Sequence, residues 1–440
     1  MAFKEGCHEK KGVYTKHFYY CYLQSDKFEW VYLKERLSRR IDAVISSSVP
    51  FLLRGAKRLV RIDHLWPLME KVPDSLNPRE YYELGVVYRL TGWIELAKDC
   101  LYRAETMANG DEVAVHAERL RRTELPRMEV PNAAVEGNIE GFNLMRTEPD
   151  KAKKVFERLM ETYPDFEWPF TNLAKIYIRE GNTEKARGLA RYAHSVNAQL
   201  LRPIELMAHI ELEEENDKQA LSHFEELLKL SPLNFEYLIA LLQLRNAVLN
   251  WPPDNPPDSY GALDYYEIGY WYLANQRYAL SKKNFEKAIE LAGPDENYVK
   301  VDAERLIKTQ LPKVDLPEHA EKRFSLCCDQ FEKDEEKATR ELKELTEEFP
   351  DFERAQVLLA TLEKAHGNGE KAEELIERVL SENPDFMPAI EMAYYFALTR
   401  NDLKLALQHI EHGISLNPFN TDFIYAKMAL ARKLYEASTA

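Results

Sequence analysis

The sequence predicts an all-α protein built as a solenoid of stacked helix pairs. Glycine is scarce, at 16 of 440 residues, which disfavours a turn-rich β fold and fits helices joined by short loops. Apolar residues recur at helical spacing through most of the chain. These stretches form units of about 34 residues that usually close on a proline. Because two short helices cannot bury their apolar faces alone, consecutive units must stack on one another.

Composition is typical of a globular protein in the cytoplasm. Hydrophobic residues make up 45% and charged residues 30%, and no segment approaches the roughly 18 consecutive apolar residues that span a bilayer. The polar N-terminus, MAFKEGCHEKKG, lacks the apolar core of a signal peptide. The five cysteines include no CxxC pair and do not indicate a disulfide framework. We therefore expect a reducing, cytoplasmic setting.

Charge is distributed unevenly along the chain. The formal net charge is −15, but residues 1–71 carry 14 Lys and Arg against 8 Asp and Glu. The remaining residues carry 45 against 66, so the body of the protein is acidic. An acidic body disfavours non-specific nucleic-acid binding, whereas the basic N-terminal residues leave that function open.

The stretch from Tyr81 shows the repeating unit most clearly. Four residues share one helical face at i, i+3, i+4 and i+7: Tyr81, Leu84, Gly85 and Tyr88. A turn follows at Thr91-Gly92. A second amphipathic helix is marked by Ala97, Leu101 and Ala104. This order of helix, turn and helix resembles the tetratricopeptide repeat.

The resemblance extends over residues 78–420 in about eight units. The family's pattern asks for small residues where helices cross, because a larger side chain would push them apart. The unit from Glu167 matches it with Phe170, Leu173, Ala174 and Tyr177 in the first helix and Ala186, Ala190 and Ala193 in the second. The resemblance implies a right-handed superhelical solenoid, non-enzymatic, that binds other proteins.

A longer repeat predicts a tandem duplication of four units. The run Tyr81-Tyr82-Glu83-Leu84-Gly85 returns 184 residues later as Tyr265-Tyr266-Glu267-Ile268-Gly269. Leu125-Pro126 returns at a shift of 186 as Leu311-Pro312, and Pro164-Asp165-Phe166-Glu167 returns as Pro350-Asp351-Phe352-Glu353. Chance does not hold such a register over so many residues, so we predict two four-repeat halves.

Five segments follow from these repeats. They are a basic, aromatic-rich N-terminal region over 1–76, a first four-repeat block over 77–250, a Pro-rich connector over 251–261, a second block over 262–420 and a C-terminal capping helix over 421–440. The connector has four prolines, which make a polyproline-like segment stiff. The last helix would cover the open end of the solenoid.

Each half also contains an additional stretch after its first unit, at Asp111–Val130 and Asp295–Leu316. Both stretches predict a further helix followed by an extended connector. Insertions in solenoids lie on one face, where they can contribute to a binding surface. A spacer that fills a gap in the packing is the alternative interpretation.

The N-terminal region allows three interpretations. Its aromatic and basic side chains fit a helical cap on the solenoid, a site for a protein partner, or a nucleic-acid or anionic-membrane contact. Four potential zinc ligands lie close together in it, at Cys7, His8, His17 and Cys21. Their spacing matches no zinc finger, so neither a metal nor another cofactor is predicted.

Elsewhere the sequence offers no catalytic motif. It contains no glycine-rich phosphate loop, no HExxH and no nucleophile elbow. Cys327-Cys328 lie in a predicted helix, and His223 and His409 occupy matching, structural places in the two halves. We therefore predict that the protein is not an enzyme.

The family resemblance implies that the first helix of each unit lines a concave groove for a peptide or partner helix. In the first half, the corresponding residues are Arg79, Tyr82, Arg89, Trp168, Lys175, Arg179 and Arg202, with Glu205 and Glu213 as opposing charges. In the second half, they are Tyr266, Tyr270, Leu273, Arg354, Lys364, Tyr395 and Leu398. For each residue the alternative is an ordinary solvated helix surface.

These two sets predict different ligands. The first groove is basic, so it would pair with an acidic peptide, whereas the second is aromatic and would suit an apolar segment or helix. The predicted function is a scaffold that holds protein partners in both grooves. The alternative is a nucleic-acid- or membrane-associated factor that uses the N-terminal region and recruits proteins through the repeats.

Overall fold

The computed structural model describes residues 72, 76–249, 251–253, 256–330 and 334–439. Twenty α-helices and one short 3₁₀ turn make up the regular structure of these residues, which include no strand. The described residues up to Trp251 form one compact unit, and those from Pro252 form another. The predicted N-terminal cap and Cys7, His8, His17 and Cys21 lie outside the described residues.

The first unit contains ten helices. They are α1 (Pro78–Thr91), α2 (Ile94–Met107), α3 (Glu112–Glu124), α4 (Asn132–Leu144), α5 (Pro149–Thr162), α6 (Glu167–Arg179), α7 (Thr183–Val196), α8 (Leu201–Glu213), α9 (Asp217–Leu230) and α10 (Phe235–Leu249).

The second unit has the same order of α-helices. They are α11 (Ala262–Ala274), α12 (Tyr278–Leu291), α13 (Asn297–Gln310), α14 (Glu318–Gln330), α15 (Glu335–Glu348), α16 (Glu353–Ala365), α17 (Gly369–Glu382), α18 (Met387–Thr399), α19 (Leu403–Leu416) and α20 (Thr421–Thr439). The 3₁₀ turn Pro294–Glu296 precedes α13.

Local sequence explains the bounds of α1. The Asn77 side chain accepts a hydrogen bond from the Glu80 amide at 3.0 Å, and the Glu80 carboxylate accepts one from the Asn77 amide at 2.9 Å. Pro78 follows at the first helical position, where no donor is needed. Gly92 ends the helix with φ at 87°, a left-handed conformation that glycine adopts without strain.

Eight antiparallel helix pairs account for the eight predicted units. They are α1/α2, α4/α5, α6/α7, α8/α9, α11/α12, α14/α15, α16/α17 and α18/α19. The additional helices predicted in the two insertions are α3 and α13. The predicted final helix, α20, packs Phe423 and Leu430 into an apolar cluster with α19.

The helix α10 was missed by the sequence analysis. Its apolar residues lie all around it rather than on one face, so the sequence carries no helical periodicity there. Its start is nevertheless marked, because the Asn234 side chain accepts hydrogen bonds from the amides of Glu236 and Tyr237 at 3.1 and 3.3 Å.

Small residues allow the helices of a pair to approach closely, as the repeat pattern predicts. A Cβ atom added to Gly141 of α4 would lie 2.6 Å from the ring of Phe156, which is fully buried in α5. An added Cβ at Gly85 would lie 2.7 Å from the Leu101 side chain. Such contacts are far inside van der Waals distance, so a methyl group would separate the helices.

Replacing Gly141 tests this close approach. We expect Gly141→Ala to destabilise the first unit by about 1–3 kcal/mol, because the methyl group displaces the ring of Phe156. Urea denaturation followed by circular dichroism measures the change. The matched control is Gly188→Ala in α7, where nothing lies within 4 Å of the added atom. That substitution should stabilise the protein by up to about 1 kcal/mol, so equal losses for both variants would contradict the explanation.

A buried carboxylate joins three consecutive helices of the second unit. Glu363 of α16 lies 3.0 Å from the ammonium groups of both Lys343 in α15 and Lys371 in α17, and it accepts a hydrogen bond from Asn368 at 2.6 Å. Burial alone would raise the pKa of Glu363, but these three partners outweigh it and lower the pKa to about 2.

The low pKa of Glu363 predicts a pH-dependent contribution to stability. Because the folded-state pKa lies below the unfolded value, the contribution is complete above pH of about 4.3 and is lost as the pH falls towards 2. We expect Glu363→Gln to cost about 1–3 kcal/mol at pH 7 and progressively less from pH 4.5 to pH 3. Urea midpoints across this range measure the difference. Glu374→Gln, at an exposed position of α17, should show no such trend, and a constant gap for Glu363→Gln would contradict the assignment.

Candidate protein-binding site

The predicted groove residues belong to the first helix of each pair. We call the surface formed by α1, α4, α6 and α8 the inner face of the first unit. The inner face of the second unit is formed by α11, α14, α16 and α18. The structure shows how much of each inner face is open.

In the first unit, the additional helix α3 lies against the inner face. It contacts both α1 and α8, the first and last helices of that face. Arg89 of α1 forms an ion pair with Glu124, the last residue of α3. Burial, and after it the charge of Glu124, raises the pKa of the Tyr82 hydroxyl. The insertion therefore covers part of the surface that the sequence analysis predicted to be open.

In the second unit, α13 takes the equivalent place with different chemistry. It contacts α11 and α18. The hydroxyl of Tyr266 donates to Asp302 of α13 at 2.7 Å. Arg354 of α16 donates to the carbonyl oxygen of Gln310, the last residue of α13, at 2.8 Å and to its side-chain oxygen at 2.9 Å. The guanidinium also lies over the ring of Phe386, 5.8 Å from its centroid.

Five of the fourteen predicted groove residues are buried. The buried residues are Tyr82, Lys175, Tyr266, Arg354 and Leu398. Tyr82, Tyr266 and Arg354 are held against or near the additional helices, and Leu398 belongs to the apolar cluster of α18, α19 and α20. A partner cannot reach these side chains in this structure, so they are framework residues.

The remaining residues of the first inner face are accessible, and two of its arginines pair with acids. Arg79 lies 3.2 Å from Glu83, and Arg202 lies 3.4 Å from Glu205. Arg179 is exposed at the end of α6, and Trp168 is half-buried beside Phe166. Arginines and acids therefore alternate on the accessible part of the first inner face, with Glu205 as one of the opposing charges named from the sequence.

His116 of α3 lies near two arginines. Burial, followed by the charges of Arg119 and Arg79, lowers the pKa of His116 to about 3. His116 is therefore neutral at pH 7.

The accessible residues of the second inner face are mainly aromatic and apolar. Tyr270, Leu273 and Tyr395 are half-buried. Lys364 is also half-buried, and its ammonium group lies 5.0 Å from the centroid of the Phe396 ring. This surface offers apolar contact area with one cation.

A buried glutamate anchors the connector that follows each additional helix. Glu167 Oε1 accepts a hydrogen bond from the backbone amide of Arg127 at 3.1 Å. In the second unit, Glu353 Oε1 accepts one from the amide of Lys313 at 2.9 Å and another from the Asn383 side chain at 3.1 Å. Sequence reasoning noted the repeated Pro-Asp-Phe-Glu motif but missed the role of its glutamate. A charged residue repeated at the start of two apolar helices was the available signal.

Removing this anchor should loosen the connector selectively. We expect Glu353→Ala to leave the Lys313 amide and the Asn383 side chain without their acceptor and to destabilise the second unit by about 1–3 kcal/mol. Hydrogen exchange at the Lys313 amide should accelerate more than exchange in α19. Glu353→Gln keeps an acceptor oxygen and is the matched control. Unchanged exchange at Lys313 in the alanine variant would show that the hydrogen bond does not hold the connector.

The cysteines and histidines singled out in the sequence have structural surroundings. Cys327 and Cys328 are both buried, and burial raises the pKa of the Cys327 thiol to about 11 and that of Cys328 further. Both thiols are therefore protonated and unreactive at neutral pH. Burial lowers the pKa of His223 and of His409.

In the described part of the chain, no three His, Cys, Asp or Glu side chains are grouped so that they could hold a metal ion. The described helices also include none that is both long and apolar enough to cross a bilayer.

Comparison with known proteins supports the repeat assignment. Two family models described as tetratricopeptide repeat match residues 332–394 and 265–295. Both matches fall in the second unit, on α15 to α18 and on α11 and α12. No curated protein matches the sequence significantly. The second unit of the chain therefore contains tetratricopeptide repeats.

Two solved structures are similar at low identity. The tetratricopeptide-repeat domain of P58(IPK) is 13% identical, with 82% of this chain and 99% of that chain covered and a TM-score of 0.25. A structure of Naa15/Naa10 bound to HypK-THB is 14% identical, with 88% of this chain and 65% of that chain covered and a TM-score of 0.21. At these TM-scores neither similarity carries the assignment, which rests on the two repeat matches.

The superfamily defines the general function. Tetratricopeptide repeats act as scaffolds for protein–protein interaction, and proteins of this class are typically not enzymes. The chain is accordingly a protein-interaction scaffold in this general sense.

Proposed function

We propose that each unit binds a segment of a partner protein on the part of its inner face that the additional helix leaves open. The observation that carries this proposal is the division of the predicted groove residues into buried and accessible ones. The accessible residues remain grouped on the inner helices of each unit.

The first unit is suited to an acidic segment. Arg79 and Arg202 retain 27% and 33% of their side-chain exposure while they contact Glu83 and Glu205. Ion pairs at this exposure contribute little, about 0–1 kcal/mol, so an incoming carboxylate can exchange with the resident one. Arg179 adds an exposed cation, and Trp168 adds a partly exposed aromatic surface.

The second unit is suited to an apolar or aromatic segment. Its half-buried Tyr270, Leu273 and Tyr395 offer area that a partner would remove from water. Lys364 would interact with an aromatic ring or an acid at the edge of such a segment. The two units therefore differ in the partners that they prefer.

Charge reversal tests the first inner face. We expect Arg179→Glu/Arg202→Glu to weaken binding of partners to the first unit by about tenfold or more, because each acid repels the incoming carboxylates. Affinity purification with the full chain, quantified by mass spectrometry, compares this bait with wild type. The matched control is Arg158→Glu/Arg191→Glu, which makes the same charge change at exposed positions of α5 and α7.

The two variants distinguish an effect of the inner face from an effect of net charge. Partners lost from the inner-face variant and kept by the control support the proposal. If both variants recover the same partners as wild type, the first inner face is not a binding surface. Tyr270→Ala/Leu273→Ala provides the corresponding test in the second unit, with Leu291→Ala at an exposed position of α12 as its control.

A further inference from the structure

A cleft lies in the first unit away from the residues of the inner-face proposal. It has a volume of about 770 Å³ and lies between the end of α3, its connector and the loop that joins α7 to α8. Four cationic side chains line it, and two acidic ones. The cationic residues are Lys98, Arg121, Arg122 and Arg127.

The cations of this cleft differ in how far they are neutralised. Lys98 pairs with Glu95 at 2.9 Å, and Arg121 pairs with Glu105 at 2.8 Å. Arg122 uses one terminal nitrogen for Glu118, at 2.7 Å, and keeps 47% of its side-chain exposure. Arg127 is exposed and forms no ion pair with any residue in the described part of the chain. Arg122 and Arg127 therefore retain donors that a ligand can use.

The second unit shows what this corner binds. Leu311-Pro312 and Asn383 lie 186 residues after Leu125-Pro126 and Asn197, and the same shift relates Lys308 to Arg122. It also relates Asp385 to Gln199, which lines the cleft.

In the second unit the corner is occupied by the chain's own carboxylate. Asp385 Oδ2 lies 2.9 Å from the Lys308 ammonium group, and Oδ1 lies 3.1 Å from Nε2 of His412. The hydrogen bond from Lys308 is the largest influence on the pKa of Asp385, which is held below its usual range. This cationic corner therefore stabilises an ionised carboxylate between the α17–α18 loop and the end of α13.

In the first unit the internal carboxylate is replaced by an amide. Arg122 Nε donates to Gln199 Oε1 at 3.1 Å, and this contact is between a cation and a neutral group. Glu226 stands 186 residues before His412 but lies 3.8 Å from both His194 and His223 and does not line the cleft. Arg122 thus contacts a neutral amide where Lys308 contacts a carboxylate, with Glu118 as its own ion-pair partner, and the neighbouring Arg127 is exposed.

We propose that this cleft binds an acidic side chain of a protein partner between Arg122 and Arg127, in the place that Asp385 fills in the second unit. A carboxylate pairs well with the planar donors of two arginines, and the cleft is large enough to admit the adjoining peptide. The acidic balance of the chain outside residues 1–71 favours a protein segment over a polyanion such as nucleic acid. This site uses none of the inner-face residues and stands independently of them.

The decisive variant supplies the missing carboxylate from within the chain. Gln199→Asp should pair with Arg122, as Asp385 pairs with Lys308, and so compete with an external acid. The probe is a fluorescein-labelled peptide of six glutamates flanked by alanines, titrated with the full chain and followed by anisotropy at low salt. The analogous glutamine peptide controls for charge. We expect Gln199→Asp and Arg127→Gln each to weaken binding of the glutamate peptide by about fivefold or more.

The control separates the cleft from net charge and from the inner face. Gln219→Asp makes the same charge change at an exposed position of α9 and should bind as wild type does. Equal weakening by Gln199→Asp and Gln219→Asp would overturn the proposal, as would unchanged binding in Gln199→Asp. Loss of binding only in Arg179→Glu/Arg202→Glu would assign the peptide to the inner face and exclude the cleft. Circular dichroism confirms that each variant is folded.

Discussion

A hydrogen bond from the connector's backbone to a buried carboxylate determines where the additional helix of each unit can lie. Glu167 accepts from the Arg127 amide, and Glu353 accepts from the Lys313 amide. In both cases the bond joins residues 40 positions apart, so it fixes the connector to a helix of a later pair. A buried amide without an acceptor costs about 1–3 kcal/mol, which is large relative to the stability of a domain. The connector in turn holds the end of α3 or α13 against the inner helices.

The additional helices change what the repeats can do. An open solenoid of this family would present all its first helices to a ligand, whereas here α3 and α13 contact the first and last of them. Each helix end is joined to the inner face in its own way. In the first unit, an ion pair between Arg89 and Glu124 joins the end of α3 to α1. In the second, Arg354 donates to the carbonyl and side-chain oxygens of Gln310. The additional helices therefore reduce the part of each inner face that is exposed to a ligand.

The local part of this structure could be predicted from the sequence. The helix pairs and the additional helices are marked in the sequence by apolar periodicity and capping residues that lie within a few positions of one another. The close helix crossings are marked by small residues such as Gly85 and Gly141. The burial of Tyr266 and Arg354 could not be predicted in this way, because their partners Asp302 and Gln310 lie 36 and 44 positions away. Nor could α10, whose apolar residues surround the helix and leave no period to detect. The face on which an insertion lies is decided by long-range contacts that a repeat pattern does not contain.

Comparison of the two units shows which residues recur at equivalent positions of both and which do not. The residues that hold the connector recur in both, as Leu125 and Leu311, Glu167 and Glu353, and Asn197 and Asn383. Their hydrogen bonds and burial recur as well, so both copies need them for folding.

At the corner beside the connector, the two units differ in surface charge. Asp385 pairs with Lys308 in the second unit, whereas the equivalent residues of the first unit, Gln199 and Arg122, form a hydrogen bond between a neutral amide and a cation. The two units thus share their buried contacts but differ in this exposed pair. An acid at 199 would pair with Arg122 as Asp385 pairs with Lys308, but ion pairs this exposed contribute only about 0–1 kcal/mol, so stability places little constraint on this corner. Specificity between the two units is therefore expected to reside in these exposed charges, while the shared buried residues keep both surfaces in the same geometry.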